Sequence, residues 1–248
     1  MITGATSGFG EAAAILFASN GYRIIITGRR GDRLKRLSDK LKAEGRDVLA
    51  LNFDVRNRKE VENRIKNLPP EWKDIDILVN NAGLAAGFSH IETGDIDDWD
   101  QMIDTNVKGL LYVTRAVAPL MCARNSGHII NISSIAGSAA YESGNVYCAT
   151  KSAVNSLSRS MRIDMLKHNI KVTNIAPGMA ETEFSIVRFK GDSEKAGSIY
   201  KGMDAMNADD IAGIIYYVAT LPPHLCINEI EITPTRQATA LYSNRKSD

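Results

Sequence analysis

Short apolar runs alternate along this chain with longer amphipathic stretches. Met1-Ile2-Thr3 reads as a strand end. Arg23 to Thr27, Val48 to Phe53, Ile75 to Val79, His128 to Ile132, Lys171 to Ala176 and Ile227 to Thr233 read as further strands. Most are apolar at consecutive positions, the pattern of strands covered on both faces of a parallel sheet. The stretches between them read as helices: Glu11 to Ser19, Asp32 to Glu44 with Leu34, Leu37 and Leu41 on one face, and Lys59 to Leu68, stopped by Pro69-Pro70. Asp97 to Arg124, Asn145 to His168 and Ala208 to Thr220 follow, and Pro177 to Asn207 is irregular or partly helical. This alternation predicts a single α/β domain over residues 1–248, a doubly wound parallel sheet of about seven strands with helices on both faces. Its ligands should bind at the strands' carboxyl ends. Only Met1 and Ile2 precede Thr3, so either upstream residues are missing from this sequence or the central strand is unusually short.

Composition narrows the classes. The 248 residues are 44% hydrophobic and 24% charged, with a formal net charge of +1, which gives no global basic excess for nucleic acid. No apolar run reaches the roughly 20 residues of a membrane span, and the N-terminus does not read as a signal peptide. Cys122, Cys148 and Cys226 lie far apart, as reduced thiols of a cytoplasmic protein would. His90, His128, His168 and His224 are equally scattered, and no metal site is expected.

The first strand–helix–strand unit carries glycines at its first turn, Gly4-x-x-x-Gly8-x-Gly10. Such a turn presents backbone N–H groups and a helix N-terminus to a pyrophosphate, which makes the predicted architecture Rossmann-type. The second strand ends Thr27-Gly28-Arg29-Arg30, with no carboxylate before Asp32. An acidic residue there would hold the ribose hydroxyls of NAD, whereas guanidinium groups suit a 2′-phosphate. The expected cofactor is NADP(H).

A second constellation lies in Ser134 to Lys151. If Asn145 onward is helical, Tyr147 and Lys151 stand at i and i+4 on one face. An ammonium beside the phenol should lower its pKa toward the working range. The Ser134 hydroxyl could hydrogen-bond an oxygen on which charge develops. Ser133 is the plain alternative, but its side chain should point to the opposite face. Cys148 is read as packing. Tyr-x-x-x-Lys alone is common on helix surfaces, so the pair gains meaning only from its setting.

Thr3-Gly-Ala-Thr-Ser-Gly-Phe-Gly10, Asp54-Val55, Asn80-Asn81-Ala82-Gly83, Asn106, Ser134, Tyr147-x-x-x-Lys151 and Pro177-Gly178 resemble, in order and spacing, the pattern of the short-chain dehydrogenase/reductase family. Within it, Ile77 to Leu84, Thr182 to Asp192 and Ala219 to His224 look most like the NADP-dependent 3-hydroxy acid dehydrogenases, which act on serine or L-allo-threonine. The resemblance implies that Tyr147 is the acid/base, that Lys151 lowers its pKa and holds the nicotinamide ribose, and that Ser134 binds the substrate oxygen. It implies that Asn106 holds a water of a proton relay, although a satisfied amide in a helix is the plainer reading. Cofactor contacts would come from Gly4, Thr6, Ser7, Gly8, Phe9, Gly10, Arg29, Arg30, Asp54, Val55, Asn81, Ala82, Gly83, Tyr147, Lys151, Pro177 and Gly178. A strand-end turn or cap is the alternative for Asp54. Substrate contacts would be Ser134, Tyr147 and a cation for the carboxylate, with Arg188 expected and Lys190 competing. The implied enzyme is a cytoplasmic homotetramer acting on serine, L-allo-threonine or 3-hydroxypropionate and malonic semialdehyde. The alternatives are a reductase of another carbonyl, such as a 3-oxoacyl carrier protein, and an NADP(H) sensor without turnover.

Overall fold

The computed structural model describes residues 1–246. Strands β1 (Ile24–Gly28) and β2 (Val48–Asn52) pair in parallel, as do β3 (Ile77–Asn80), β4 (Gly127–Ile132), β5 (Ile170–Pro177) and β6 (Glu229–Ile232), in that spatial order. The N-terminal residues join the two groups. Ile2 N–H donates to Ile25 O and Thr27 N–H to Ile2 O on one side, while Thr3 N–H donates to Val79 O on the other. The result is one parallel sheet with spatial order β2, β1, residues 1–3, β3, β4, β5, β6. Chain direction across the sheet reverses at residues 1–3, which places the switch-point crevice there.

Burial explains why the apolar runs were readable. All five residues of β1 are buried, and so are the last five of β4, whereas edge strand β6 alternates exposed with half-buried positions. One core lies under α1 (Gly8–Ser19) and α9 (Ala208–Ala219), built on Ala13, Phe17, Ile26, Ile211 and Ile215. The other, under α3 (Arg58–Lys66), α5 (Leu110–Arg124) and α6 (Asn145–Asp164), is built on Val61, Leu78, Val113, Val117, Met121 and Ile129. Helix α2 (Gly31–Ala43) closes the first face with Leu34, Leu37 and Leu41.

Two regions depart from the expected elements. The stretch read as one helix near Asp97 to Arg124 is α4 (Ile96–Ile103), a π-helical turn at Asp104–Gly109, and α5. The segment after β5 holds two six-residue helices, α7 (Glu183–Arg188) and α8 (Ser193–Ser198), each started by a side-chain cap, Thr182 and Asp192. Gln237, buried in the C-terminal stretch, accepts the Met179 N–H at 2.7 Å and so braces the base of this segment.

Candidate active site

The glycine turn is built by close approach. Gly4 has φ +66°, and a Cβ there would stand 2.9 Å from Ala82 Cα. A Cβ on Gly10 would stand 2.5 Å from Gly4 O and also strike the Asn81 amide, so both positions exclude a side chain. Thr3 and Asn81 stitch this turn to the end of β3. Thr3 Oγ1 accepts the N–H groups of Asn81 and Ala82, both at 3.0 Å, and Asn81 Nδ2 donates to Thr3 O and Gly4 O. Asn81 therefore shapes the turn with its side-chain amide nitrogen. The bare cradle at the N-terminus of α1 fits a pyrophosphate.

The cleft above the turn gathers most of the expected cofactor residues. Gly4, Thr6, Ser7, Gly8, Phe9, Arg29, Arg30, Asp54, Val55, Asn81, Ala82, Gly83, Ser134, Tyr147, Lys151, Pro177 and Gly178 all line it. Gly10, Asn106 and Arg188 do not; Gly10 sits behind the turn, and Arg188 lines a small adjoining pocket that it shares with Tyr147. The carboxylate of Asp54 faces the cleft already gripped by Arg56, with Arg56 Nη2 at 2.7 Å and the Arg56 N–H at 3.0 Å. The strand-end cap therefore exists and coexists with a place in the cleft wall.

The arginine pair behaves less simply than its sequence position implied. Arg30 Nε donates to Thr6 Oγ1 at 3.1 Å and Nη2 to Ser7 Oγ at 2.6 Å, which lays its guanidinium against the glycine turn. Its Nη1 meets Glu183 Oε2 at 2.9 Å, and Arg33 Nη1 meets both Glu183 oxygens at 2.6 Å. Arg33 and Glu183 were not singled out by sequence. The two lie 150 residues apart.

Tyr147 and Lys151 lie on one face of α6, both buried, as the i, i+4 spacing required. Their electrostatics differ from expectation. Burial pushes the Tyr147 phenol above its ordinary value; the neighbouring Tyr141 adds to this, while a hydrogen bond with Ser134 and the charge of Arg188 oppose it. Lys151 does not lower it. Its Nζ is 5.8 Å from the Tyr147 ring centroid and donates to Ile132 O at 2.9 Å, and burial brings its own pKa down to about 8. Burial dominates both groups, so the phenol is neutral and the amine mostly charged at pH 7.

The hydroxyl of Ser134 faces the cleft, accepts the Ala136 N–H at 3.1 Å and donates to Pro177 O at 3.3 Å. Ser133 points the other way, donating to Asn155 Oδ1 at 2.6 Å and Lys151 O at 3.1 Å. Cys148 packs with Leu84, Ala85 and Met102. The Asn106 amide is fully engaged: Oδ1 accepts the Leu84 N–H, and Nδ2 donates to Leu84 O and Thr150 Oγ1. Its side chain fixes Leu84 beside the cleft. A Cβ on Gly83 would stand 3.2 Å from Asn106 Oδ1 and 3.5 Å from Lys151 Nζ, so glycine lets the three meet.

Arg188 and Lys190 separate clearly. Lys190 lies on the rim, paired with Asp98 at 2.9 Å and Asp95 at 3.2 Å. Arg188 is 8% exposed, with its guanidinium 4.7 Å from the Phe88 ring, 5.4 Å from Tyr141 and 5.7 Å from Tyr147. It donates to Tyr141 Oη at 2.8 Å, and its buried Nε has no partner among the described residues. No carboxylate pairs with it among the described residues. Among those residues no group of three His, Cys, Asp or Glu side chains gathers to hold a metal, and no helix is long and apolar enough to cross a membrane.

Comparison with known proteins agrees with this geometry. The chain is 50% identical to the NADP-dependent 3-hydroxy acid dehydrogenase of Salmonella typhi over 248 residues, all of this chain and 99% of that one. It is 43% identical to sulfoacetaldehyde reductase 2 of Chromohalobacter salexigens over 244 residues, 98% of this chain and 96% of that one. The closed form of a serine dehydrogenase complexed with NADP+ superposes with a TM-score of 0.94 at 46% identity, covering 99% and 98% of the two chains. Residues 1–192 match the short chain dehydrogenase family model, and the chain belongs to that family of oxidoreductases.

Proposed function

We propose that the protein oxidises or reduces the C3 position of a small 3-hydroxy acid or its 3-oxo counterpart with NADP(H), the acid being serine, L-allo-threonine or 3-hydroxypropionate and malonic semialdehyde. The carrying observation is Arg188, a buried cation without a carboxylate partner, beside the phenol that would handle the proton. A guanidinium so placed is matched by a substrate carboxylate. When bound, the nicotinamide supplies the hydride acceptor or donor. Residues 1–248 would act as one cofactor-binding domain, with the glycine turn, Arg29 and Arg30 holding the phosphates and the segment 177–207 covering the substrate. Tyr147 transfers the proton between its Oη and the substrate oxygen, Ser134 hydrogen-bonds that oxygen, and Lys151 holds the ribose. Asn106 acts by placing Leu84 and the neighbourhood of Lys151. A neutral phenol has a proton to give, so the resting site is set for reduction; oxidation requires that proton to leave first.

The test follows reduced nicotinamide absorbance with NADP+ and L-serine, L-allo-threonine or 3-hydroxypropionate. Sulfoacetaldehyde with NADPH is run beside them, because a guanidinium accepts a sulfonate as readily as a carboxylate. No turnover of any carboxylate substrate removes the proposal. Replacing Arg188 by alanine should raise KM for serine roughly 10- to 150-fold, the effect of losing one charge-assisted hydrogen bond, while sparing NADP+ binding; an unchanged KM removes the assignment. We place the protein in the cytoplasm as a homotetramer. Exposed Ile96, Ile103 and Leu111 along α4 and α5 and Ile163 at the end of α6 support helix–helix contacts between subunits, which light scattering would check.

A further inference from the structure

Helix α7 carries opposite charges at its two ends. Glu183 at its start reaches Arg30 and Arg33, and Arg188 at its end lies beside Tyr147. The start is seated on the glycine turn as well, since a Cβ on Gly8 would stand 3.6 Å from the Thr182 Cβ. The Glu183 carboxylate therefore lies in the cleft wall, held by Arg33 and by the Arg30 guanidinium that faces Thr6 and Ser7. That is the chemistry a phosphate monoester needs: two arginine forks and hydroxyl donors beside a helix N-terminus.

We propose that Glu183 is an internal stand-in for the cofactor's 2′-phosphate, exchanged for it on binding, and so a residue that sets how strongly the protein prefers NADP(H). The inference rests on the cofactor reading above. Exchange is feasible because the pairs are weak: the side chains of Glu183, Arg30 and Arg33 are 36–39% exposed, where ion pairs contribute little and yield to a more highly charged competitor. A dianionic phosphate brings more charge than the carboxylate that it replaces. Once Glu183 lets go, the start of α7 loses its ties to Arg30 and Arg33 and keeps its Thr182 cap and the Phe184 contact with Tyr147. Occupancy of the arginine cluster then bears on the same helix that positions Arg188.

The test measures binding of adenosine 2′,5′-bisphosphate and of 5′-AMP by calorimetry to wild type and to Glu183→Gln. The bisphosphate carries the 2′-phosphate without the nicotinamide, so the readout does not depend on turnover. Glutamine keeps the shape of the side chain at an exposed helix start, and a thermal melt confirms the fold; Glu183→Ala serves as the second variant. The expected result is that the bisphosphate binds about tenfold tighter to both variants, the scale of two released surface ion pairs, with 5′-AMP unchanged. Equal or weaker binding of the bisphosphate to both variants overturns the exchange, since Glu183 would then be a bystander or an organiser of the arginines. A parallel gain for 5′-AMP also overturns it, because the effect would not be on the 2′-phosphate. If wild type itself fails to prefer the bisphosphate to 5′-AMP, it is the cofactor reading that falls.

Discussion

His128 makes an acid-sensitive point in the fold that can be measured apart from catalysis. Its side chain lies in the core on β4, with Nε2 bonded to Thr173 Oγ1 at 2.8 Å and Nδ1 without a partner among the described residues. Burial, with a smaller contribution from the charge of Lys171, brings its pKa down from 6.5 to about 3. The unfolded chain therefore binds a proton as the pH falls through about 6.5, while the folded chain binds it only near 3. Stability present above about pH 6.5 is lost progressively below it. Integration over that difference gives a loss of about 2 kcal/mol between pH 7 and pH 5, against a ceiling of about 5 kcal/mol below both values. In a chain of this length about 2 kcal/mol corresponds to roughly 4–8 °C in Tm. His128→Gln retains a group that can meet Thr173 but does not titrate. Chemical denaturation of both proteins at pH 7, 6 and 5 isolates the contribution, because carboxylates common to both cancel. The wild type should fall about 2 kcal/mol further than the variant by pH 5. Parallel loss in the two would refute the argument, and with it the view that the imidazole is held neutral by its surroundings.

Four further outcomes are expected. Tyr147→Phe should lower kcat by about 10²-fold or more in both directions while leaving NADP+ affinity near wild type, as stopped-flow binding would show. The serine oxidation rate should climb with pH above neutrality, because burial holds the Tyr147 proton, whereas reduction should not. Lys151→Met should abolish turnover yet raise stability by about 1–3 kcal/mol, since a buried ammonium is replaced by an apolar chain of similar length; a lower Tm would contradict the burial argument. Gly10→Ala should eliminate cofactor binding by forcing Gly4 O and the Asn81 amide aside, and retained NADP+ affinity would show that the turn can yield.

The parts of this molecule that could be read from its sequence are those set by local pattern. Buried parallel strands such as β1 and β4 need apolar residues at every position, and that leaves visible runs. The glycine turn and the Tyr147–Lys151 spacing are likewise local, and the structure brings them to one cleft. What escaped reading depends on contacts between distant segments. Glu183 meets Arg33 across 150 residues, and nothing in either stretch announces the other. The direction of the Tyr147 pKa follows from how completely neighbours exclude water, with Tyr141 and Arg188 arriving from other elements. Helices α7 and α8 are too short to show periodicity and owe their existence to caps. Within Arg29 to Arg36, Arg30 turns to the cleft and Arg33 to Glu183, while Lys35 pairs with Asp39 on the surface.

The π turn at Asp104–Gly109 sets the phase between two halves of what would otherwise be one rod. A residue added to a helix advances every later side chain by about 100° around the axis. Ahead of the turn, α4 directs Met102 and Trp99 to the small cluster beside Tyr147; beyond it, α5 directs Val113, Val117 and Met121 to the core beneath the sheet. The widened turn is the offset that lets one continuous backbone serve both floors. Deleting a single residue there would leave composition and helix propensity almost untouched. It would nevertheless swing Val113 and Val117 away from Ile129 and Leu78 and lift Asn106 off Leu84. Chain length across these six residues is thus as strict a requirement as the identity of any side chain in the cleft.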